Sequence, residues 1–292
     1  MGQKKEREKM NILIKILKNI GVIVLAIALF VVGSIPGNLL VSVFINEYLQ
    51  LIIPSIVSIL VTFGLVWFVS GKLLKIDAEE LGIKLKKVDV KWIVIAVALP
   101  VLILLFYAFV LPGKPYVSGD EGLVKSLVRG FFEVGITAGL LEELVFRGMI
   151  FRYMKKTLGV KAAVIVPAVL FASLHILNMQ TFNWMDLILL IFAGSSVAIM
   201  FTMMALKSNT IYAGACAHAL WNTLIIGGTF GIGDIVNGME NTSYIVIPIE
   251  STSKLLTGGN FGVEAAVPAI VGYIAVSVIC AIGFREKEAP GN

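Results

Sequence analysis

The sequence is poor in residues on which many soluble enzymes rely: it has two cysteines, two histidines and only 15% charged residues. Cys216 and Cys280 lie in separate apolar runs, and two isolated cysteines exclude a disulfide framework. A soluble domain carries about a quarter charged residues, so an ordinary soluble protein is also excluded. No basic stretch interleaves with aromatic residues, which excludes a nucleic-acid-binding surface.

Long apolar runs take the place of the missing charge. Hydrophobic residues make up 58% of the 292 residues, and the mean hydropathy is +0.93. A helix needs about 20 mainly apolar residues to cross a bilayer. Eight segments meet this need: 16–34, 50–70, 92–112, 129–150, 161–178, 187–206, 209–227 and 264–284. We therefore predict an all-α polytopic membrane protein, with residues 1–292 forming one integral-membrane domain.

The distribution of basic residues supports this number of spans. If the N-terminus is cytoplasmic and eight spans alternate, 20 Lys and Arg residues fall inside and 4 fall outside. Such a bias is what the positive-inside rule describes. It predicts that both termini are cytoplasmic, and we expect a multi-pass protein of the cell membrane. The longest outer loop, 228–263, includes a strand-forming stretch at 243–247, which predicts a hairpin or a lid.

Polar residues interrupt three of the predicted spans. The segment 142–147 reads Glu-Glu-Leu-Val-Phe-Arg, 171–175 ends in a histidine, and 218–222 begins with histidine and ends with asparagine. Each has an ordinary explanation alone: snorkelling at a helix end, a histidine bonded to a backbone carbonyl, or hydrogen bonding between helices. Ionisable groups are costly within a bilayer and usually functional. Their occurrence in three spans together favours a polar site inside the membrane.

Helix geometry divides the roles of the acidic pair. Glu142 and Glu143 point about 100° apart on a helix. Glu143 and Arg147 are four residues apart, on one face and in the favourable order for an ion pair. We therefore predict that Glu143 pairs with Arg147, while Glu142 faces a cavity and serves as a general base.

The two histidines also have neighbours at helical spacing. His175 lies one turn after Phe171, and Asn222 lies one turn after His218. The Asn222 amide can donate to an oxyanion or orient an imidazole ring. On the predicted boundaries, Glu142 lies toward the inner face and His175 toward the outer face. A shared site therefore requires tilted helices or shifted helix ends.

Two kinds of hydrolysis fit these residues. In one, a carboxylate and a histidine activate water while the second histidine and the asparagine stabilise the oxyanion. In the other, Glu142, His175 and His218 form a catalytic zinc site with water as the fourth ligand. The usual H-E-x-x-H motif is absent, and Ser173 lacks a nucleophile elbow. The sequence leaves open whether the cofactor is zinc or whether none is used.

The three motifs, in this order and spacing, resemble the CPBP family of intramembrane proteases, which comprises CAAX prenyl endopeptidases and bacteriocin-processing or Abi proteins. The resemblance implies a catalytic core over residues 127–285. It implies that Glu142 is the catalytic carboxylate and that His175 is its partner in activating water. It also implies roles for the other four motif residues: Glu143 and Arg147 support the site, and His218 and Asn222 bind the oxyanion.

The expected function is an endopeptidase in contact with membrane lipid. Its substrate is a peptide with a lipidated C-terminus or a hydrophobic leader. The alternative is a non-catalytic bacteriocin immunity protein that binds a peptide in the same cavity. A proton-coupled transporter also uses buried acids and histidines, but no inverted repeat or paired broken helix supports it.

Overall fold

The computed structural model of the chain is built almost entirely of helices, which confirms the all-α membrane fold. It describes residues 2–85, 89–111, 113–118, 122–179, 181–233, 235–236, 239–240 and 243–282. The helices are α1 (Gly2–Leu40), α2 (Glu47–Val69), α3 (Val90–Phe109), α4 (Leu123–Arg129), α5 (Thr137–Glu143), α6 (Phe151–Leu158), α7 (Val160–Leu174), α8 (Trp184–Ser208), α9 (Tyr212–Trp221), α10 (Lys254–Thr257) and α11 (Val267–Ile282). Within the described residues, shorter helical segments extend or join these helices. The π-helical segments are Ser70–Leu74, Gly130–Ile136, Leu144–Ile150 and Asn222–Ile226. The 3₁₀ segments are Val41–Val43, His175–Asn178 and Gly259–Ala265.

Six helical stretches of the described chain are long and apolar enough to cross a membrane. They are Gln3–Val43, Glu47–Leu74, Val90–Phe109, Val160–Asn178, Trp184–Ser208 and Gly259–Ile282. The predicted spans 129–150 and 209–227 fall on the helices that carry the acidic and His-Asn motifs. The number eight and the cytoplasmic termini stay predictions, and residues 283–292, with the two basic residues assigned there, lie outside the described residues.

Much of the surface of the helical body is apolar, and some charged residues are buried inside it. Large apolar side chains such as Leu60, Leu102 and Phe192 are exposed, whereas Glu143 and Arg147 are buried. This pattern is the reverse of a soluble protein's and suits a body surrounded by acyl chains.

The acidic motif lies on one continuous helical rod, residues 123–158, which we call the central rod. It consists of α4, α5 and α6 joined by the π-helical segments Gly130–Ile136 and Leu144–Ile150. The rod therefore extends beyond the predicted span 129–150 at both ends. The rod ends with a charged turn, and the chain then leaves the helix at Gly159, where a φ of 86° favours glycine. π-Helical turns occur often at functional sites, and here one begins directly after Glu143.

Small residues allow the central rod to contact residues 212–226, which we call the His218 helix. A Cβ atom on Gly139 would lie only 2.8 Å from the backbone nitrogen of Ala219 and 3.1 Å from the carbonyl oxygen of Ala215. Close backbone approach through glycine and alanine is common between membrane helices, because it maximises van der Waals contact. This packing brings the end of α5 beside His218.

A small sheet ties the long outer loop to the start of the central rod. Its strands lie in the order β1 (Tyr116–Val117), β5 (Ile245–Ile247) and β2 (Phe230–Ile232), with β1–β5 antiparallel and β2–β5 parallel. A separate hairpin pairs β3 (Ile235–Val236) with β4 (Met239–Glu240). The strand predicted within 243–247 is therefore confirmed, whereas a function as a lid stays a prediction.

We expect Gly139→Ala to destabilise the protein by about 1–3 kcal/mol, the usual cost of overpacking a tight contact. Thermal unfolding in detergent measures the effect. Gly64→Ala in α2 is the matched control, because a Cβ atom there has no neighbour within 4 Å. Equal melting temperatures for the two variants would contradict the close packing of the rod against the His218 helix.

Candidate active site

A cavity of about 240 Å³ lies among the central rod, the His175–Asn178 turn, α8, the His218 helix and the segment Gly259–Ala265. Its wall includes six residues that matter for the chemistry: Glu142, His175, Phe201, His218, Asn222 and Glu264. The structure thus brings together four of the six sequence-predicted site residues on one wall. The other two, Glu143 and Arg147, form the layer behind them.

Glu143 and Arg147 form a fully buried ion pair. Arg147 Nη1 donates to Glu143 Oε1 over 2.9 Å, and Nη2 donates to the carbonyl oxygen of Ala198 in α8 over 2.9 Å. The two side chains are 0% and 2% exposed, so the charges compensate each other away from water. The predicted pairing is confirmed, and it connects the central rod to α8.

Three aromatic rings surround the guanidinium group of Arg147. Its Cζ atom lies 5.1 Å from the ring centre of Phe171, 5.3 Å from Phe201 and 5.8 Å from Phe146. Ring faces attract a cation, and the attraction increases when water is absent. The aromatic residue of the His175 motif therefore also helps to hold the arginine.

His218 lies between the two acids. Its Nδ1 is 3.3 Å from Glu143 Oε1, and its Nε2 is 3.8 Å from Glu142 Oε2. Since an ionised carboxylate only accepts, Nδ1 is the donor toward Glu143. The imidazole ring stacks on Phe201 with ring centres 4.7 Å apart and an angle of 15° between planes. These contacts fix the plane of the ring.

Glu142 is the acid that faces the cavity, as the helix geometry predicted. Its side chain is 22% exposed, whereas that of Glu143 is 0% exposed. Its Oε2 atom is buried and has no hydrogen-bond partner among the described residues. A carboxylate with unused acceptor capacity beside a cavity can hold water.

His175 lies on the 3₁₀ turn that follows α7. Its Nδ1 is 2.9 Å from the carbonyl oxygen of Phe171, and its ring centre is 4.8 Å from that of Phe171. A carbonyl oxygen only accepts, so Nδ1 carries the hydrogen and Nε2 of the neutral ring is an acceptor. His175 and Glu142 line the same cavity, so the two motifs meet in one site.

Asn222 completes the polar wall. Its Nδ2 donates to the carbonyl oxygen of Val134 in the central rod over 3.2 Å. An amide nitrogen carries two N–H groups, so this bond uses one of them and orients the other. Asn222 also begins the π-helical segment Asn222–Ile226, which changes the helix geometry directly after the motif.

Sequence reasoning missed three residues of this site: Phe201, Glu264 and Tyr273. Phe201 lies between Arg147 and His218, and Tyr273 lines the cavity next to Glu264. The two aromatic residues gave no signal, because such residues are common in membrane helices. Glu264 did give one, since it is a single acid at the start of an apolar run.

The predicted zinc ligands, Glu142, His175 and His218, do not meet at one point. A zinc ion holds its oxygen and nitrogen ligands at about 2.0–2.2 Å. In each histidine Nδ1 is engaged, in His218 by Glu143 and in His175 by the Phe171 carbonyl group, which leaves Nε2 as the available nitrogen. Across the described chain, no group of three His, Cys, Asp or Glu side chains is arranged to hold a metal ion. We derive no step through a metal.

A second cavity of about 220 Å³ shares Glu142 and His175 with the first. Apolar side chains make up most of the rest of its wall: Ile27 and Phe30 from α1, Val145 and Phe146 from the central rod, Phe171 and Leu174 from α7. The two acid–base side chains therefore lie where a polar chamber and an apolar chamber meet.

Comparison with known families supports the sequence resemblance. Residues 124–224 match the family model described as Rce1-like, type II CAAX prenyl endopeptidase. The match contains all three motifs and supports a membrane endopeptidase activity. No curated protein and no solved structure matches the chain. The core predicted over residues 127–285 extends past the match, and its last three residues lie outside the described part.

Removing Arg147 tests the buried ion pair. We expect Arg147→Gln to destabilise the protein by about 3–5 kcal/mol, because Glu143 then stays buried without its partner. Lys84→Gln is the control, since Lys84 and Glu79 form an exposed pair at 3.3 Å that contributes at most about 1 kcal/mol. Thermal unfolding in detergent compares them, and similar losses would contradict a structural role for the buried pair.

Proposed function

We propose that the protein cleaves peptide bonds with water activated by Glu142, because residues 124–224 match the Rce1-like type II CAAX prenyl endopeptidase model. The observation that carries this proposal is the position of the Glu142 carboxylate. It lines both cavities, keeps acceptor capacity, and lies 3.8 Å from the nearest imidazole nitrogen, His218 Nε2. The remaining roles follow from the groups around it.

Glu142 and His175 hold the attacking water. The carboxylate accepts one hydrogen of the water, and His175 Nε2 accepts the other. As the water oxygen attacks the carbonyl carbon, its proton passes to Glu142. The Nδ1 bond of His175 fixes the orientation of its ring.

His218 and Asn222 stabilise the oxyanion that forms. The free N–H of Asn222 is one donor, and an N–H on Nε2 of His218 is the second. Glu142 and Glu143 lie beside this ring, 3.8 Å and 3.3 Å from its two nitrogens. Donors fixed in advance are the most effective way to stabilise a tetrahedral intermediate.

The proton held by Glu142 then moves to the leaving nitrogen, and the carbon–nitrogen bond breaks. The immediate products are a carboxylic acid and an amine. The second hydrogen of the water, left on the new carboxyl group, then passes by way of Glu142 to the amine, which gives a carboxylate and an ammonium group. Glu142 returns to its ionised form and is ready for the next water.

The second cavity suits the apolar part of a substrate. Its wall from α1 and α7 can take a hydrocarbon chain or a large apolar side chain close to the scissile bond. A prenylated C-terminus and a hydrophobic leader peptide both meet this requirement. The substrate therefore approaches with its apolar group in lipid-like surroundings and its peptide bond in the polar cavity.

Glu142→Gln tests the proposed base. We expect cleavage of a synthetic prenylated CAAX peptide to fall about 10²- to 10⁴-fold, the usual contribution of a general base, while peptide binding is retained. Glu133→Gln is the matched control, because Glu133 is an exposed acid on the same rod. Cleavage at the native rate by Glu142→Gln would overturn the mechanism. If native protein and Glu142→Gln bind the peptide equally well and native protein does not cleave it, the result favours the immunity function.

A second measurement concerns the metal. Because the three candidate ligands do not converge, we expect chelator-treated protein to keep its cleavage rate and purified protein to lack stoichiometric zinc. Elemental analysis and a rate assay with and without chelator check this. One zinc per chain, with activity lost to chelator and restored by zinc, would show that the site rearranges around a metal.

A further inference from the structure

Glu264 is an acid of the cavity that no motif includes. It lies in the segment Gly259–Ala265, outside the matched residues 124–224. Its carboxylate interacts electrostatically with His175, His218 and Glu142. Throughout the described part of the chain, no hydrogen bond or ion pair engages this side chain. An unpaired acid beside a membrane cavity is costly, which indicates a use.

The segment that carries Glu264 is held firmly in place. Tyr273 donates from its hydroxyl group to the carbonyl oxygen of Glu264 over 3.3 Å. Just before the segment, Lys254 forms an ion pair with buried Asp186 of α8 over 2.8 Å. Gly259, with a φ of 60°, lies so close to Asp186 that a Cβ atom there would overlap the carboxylate. The acid is therefore presented to the cavity by a fixed wall.

Amide hydrolysis needs a group that holds the leaving nitrogen in place, and Glu142 supplies only its proton. Glu142 and His175 serve the water, and His218 and Asn222 serve the oxyanion. The scissile nitrogen carries a hydrogen that needs an acceptor in the cavity, and it gains positive charge as it departs. A carboxylate meets both needs, and charge-assisted hydrogen bonds of this kind are the strong ones.

We propose that Glu264 is a further catalytic residue, which accepts the hydrogen bond of the scissile N–H group and stabilises the departing ammonium group. This inference rests on the proposed peptidase function. In this role Glu264 acts as a carboxylate and exchanges no proton. The proton for the nitrogen still comes from Glu142, so the balance of atoms and charge described above is unchanged.

The test uses two substrates in membranes or detergent with the full chain. One is a synthetic prenylated CAAX peptide, and the other is its depsipeptide analogue, in which an ester replaces the scissile amide. The ester has no N–H group and releases a neutral alcohol. Glu264 therefore matters for the first substrate and not for the second, whereas Glu142 matters for both.

We expect Glu264→Gln to lower kcat on the amide about 10- to 150-fold, as for loss of one charge-assisted hydrogen bond. Its rate on the ester should stay close to native. Glu264→Asp retains the charge at a shorter reach, and we expect a smaller loss, again confined to the amide. Glu250→Gln, at an exposed acid of the preceding loop, is the control and should leave both rates unchanged.

Four results would count against the proposal or its premise. Native amide cleavage by Glu264→Gln would overturn the role of Glu264, as would equal losses on amide and ester with an unchanged melting temperature. If Glu264→Gln fails to fold, the test is the ratio of the cleavage rate on the amide to the rate on the ester for Glu264→Asp. A ratio equal to that of native protein overturns the proposal. Failure of native protein to cleave either substrate would instead refute the proposed peptidase function.

Discussion

A bilayer offers no water to a buried charge, and the structure meets this constraint with the Glu143–Arg147 ion pair. One oxygen of Glu143 contacts both Arg147 and His218. The other arm of the guanidinium group binds the backbone of Ala198 in α8. A single charge pair thus links the central rod, the His218 helix and α8, and it holds His218 in place beside the cavity.

Helix geometry around this pair is irregular where function requires it. A π-helical segment begins directly after Glu143, and another begins at Asn222. A π turn uses i to i+5 hydrogen bonds, so it changes the angle between side chains before and after it. Glu142 can therefore face the cavity while Arg147 stays behind it among aromatic rings. The 3₁₀ turn at His175 has a comparable effect at the end of α7.

The sequence predicted features that depend on spacing within one helix. The Glu143–Arg147 pair and the contact of His175 with Phe171 both follow from residues four apart. The way in which separate helices pack could not be predicted from the sequence. The backbone contact between Gly139 and Ala219 sets the register of the two helices, and the pattern of apolar residues does not specify this contact. The central rod was predicted too short, since its ends are charged rather than apolar.

Some side chains of the site could not be found from motifs at all. Phe201 is one of many aromatic residues in apolar runs, and only the fold places it between Arg147 and His218. Glu264 lies 42 residues after the last motif residue, Asn222, in a wall that the sequence did not connect with the others. Segments far apart in the sequence meet through tertiary packing, and the spacing of residues within one helix does not predict such contacts.

The two cavities that meet at Glu142 and His175 differ in how their walls are built. The first lies between the central rod and the His218 helix, whose backbones are in direct contact and leave no room for a larger side chain. The second is lined in part by longer side chains of α1, such as Ile27 and Phe30. Substitutions in α1 can therefore change the shape of the second cavity without altering the packing around His218.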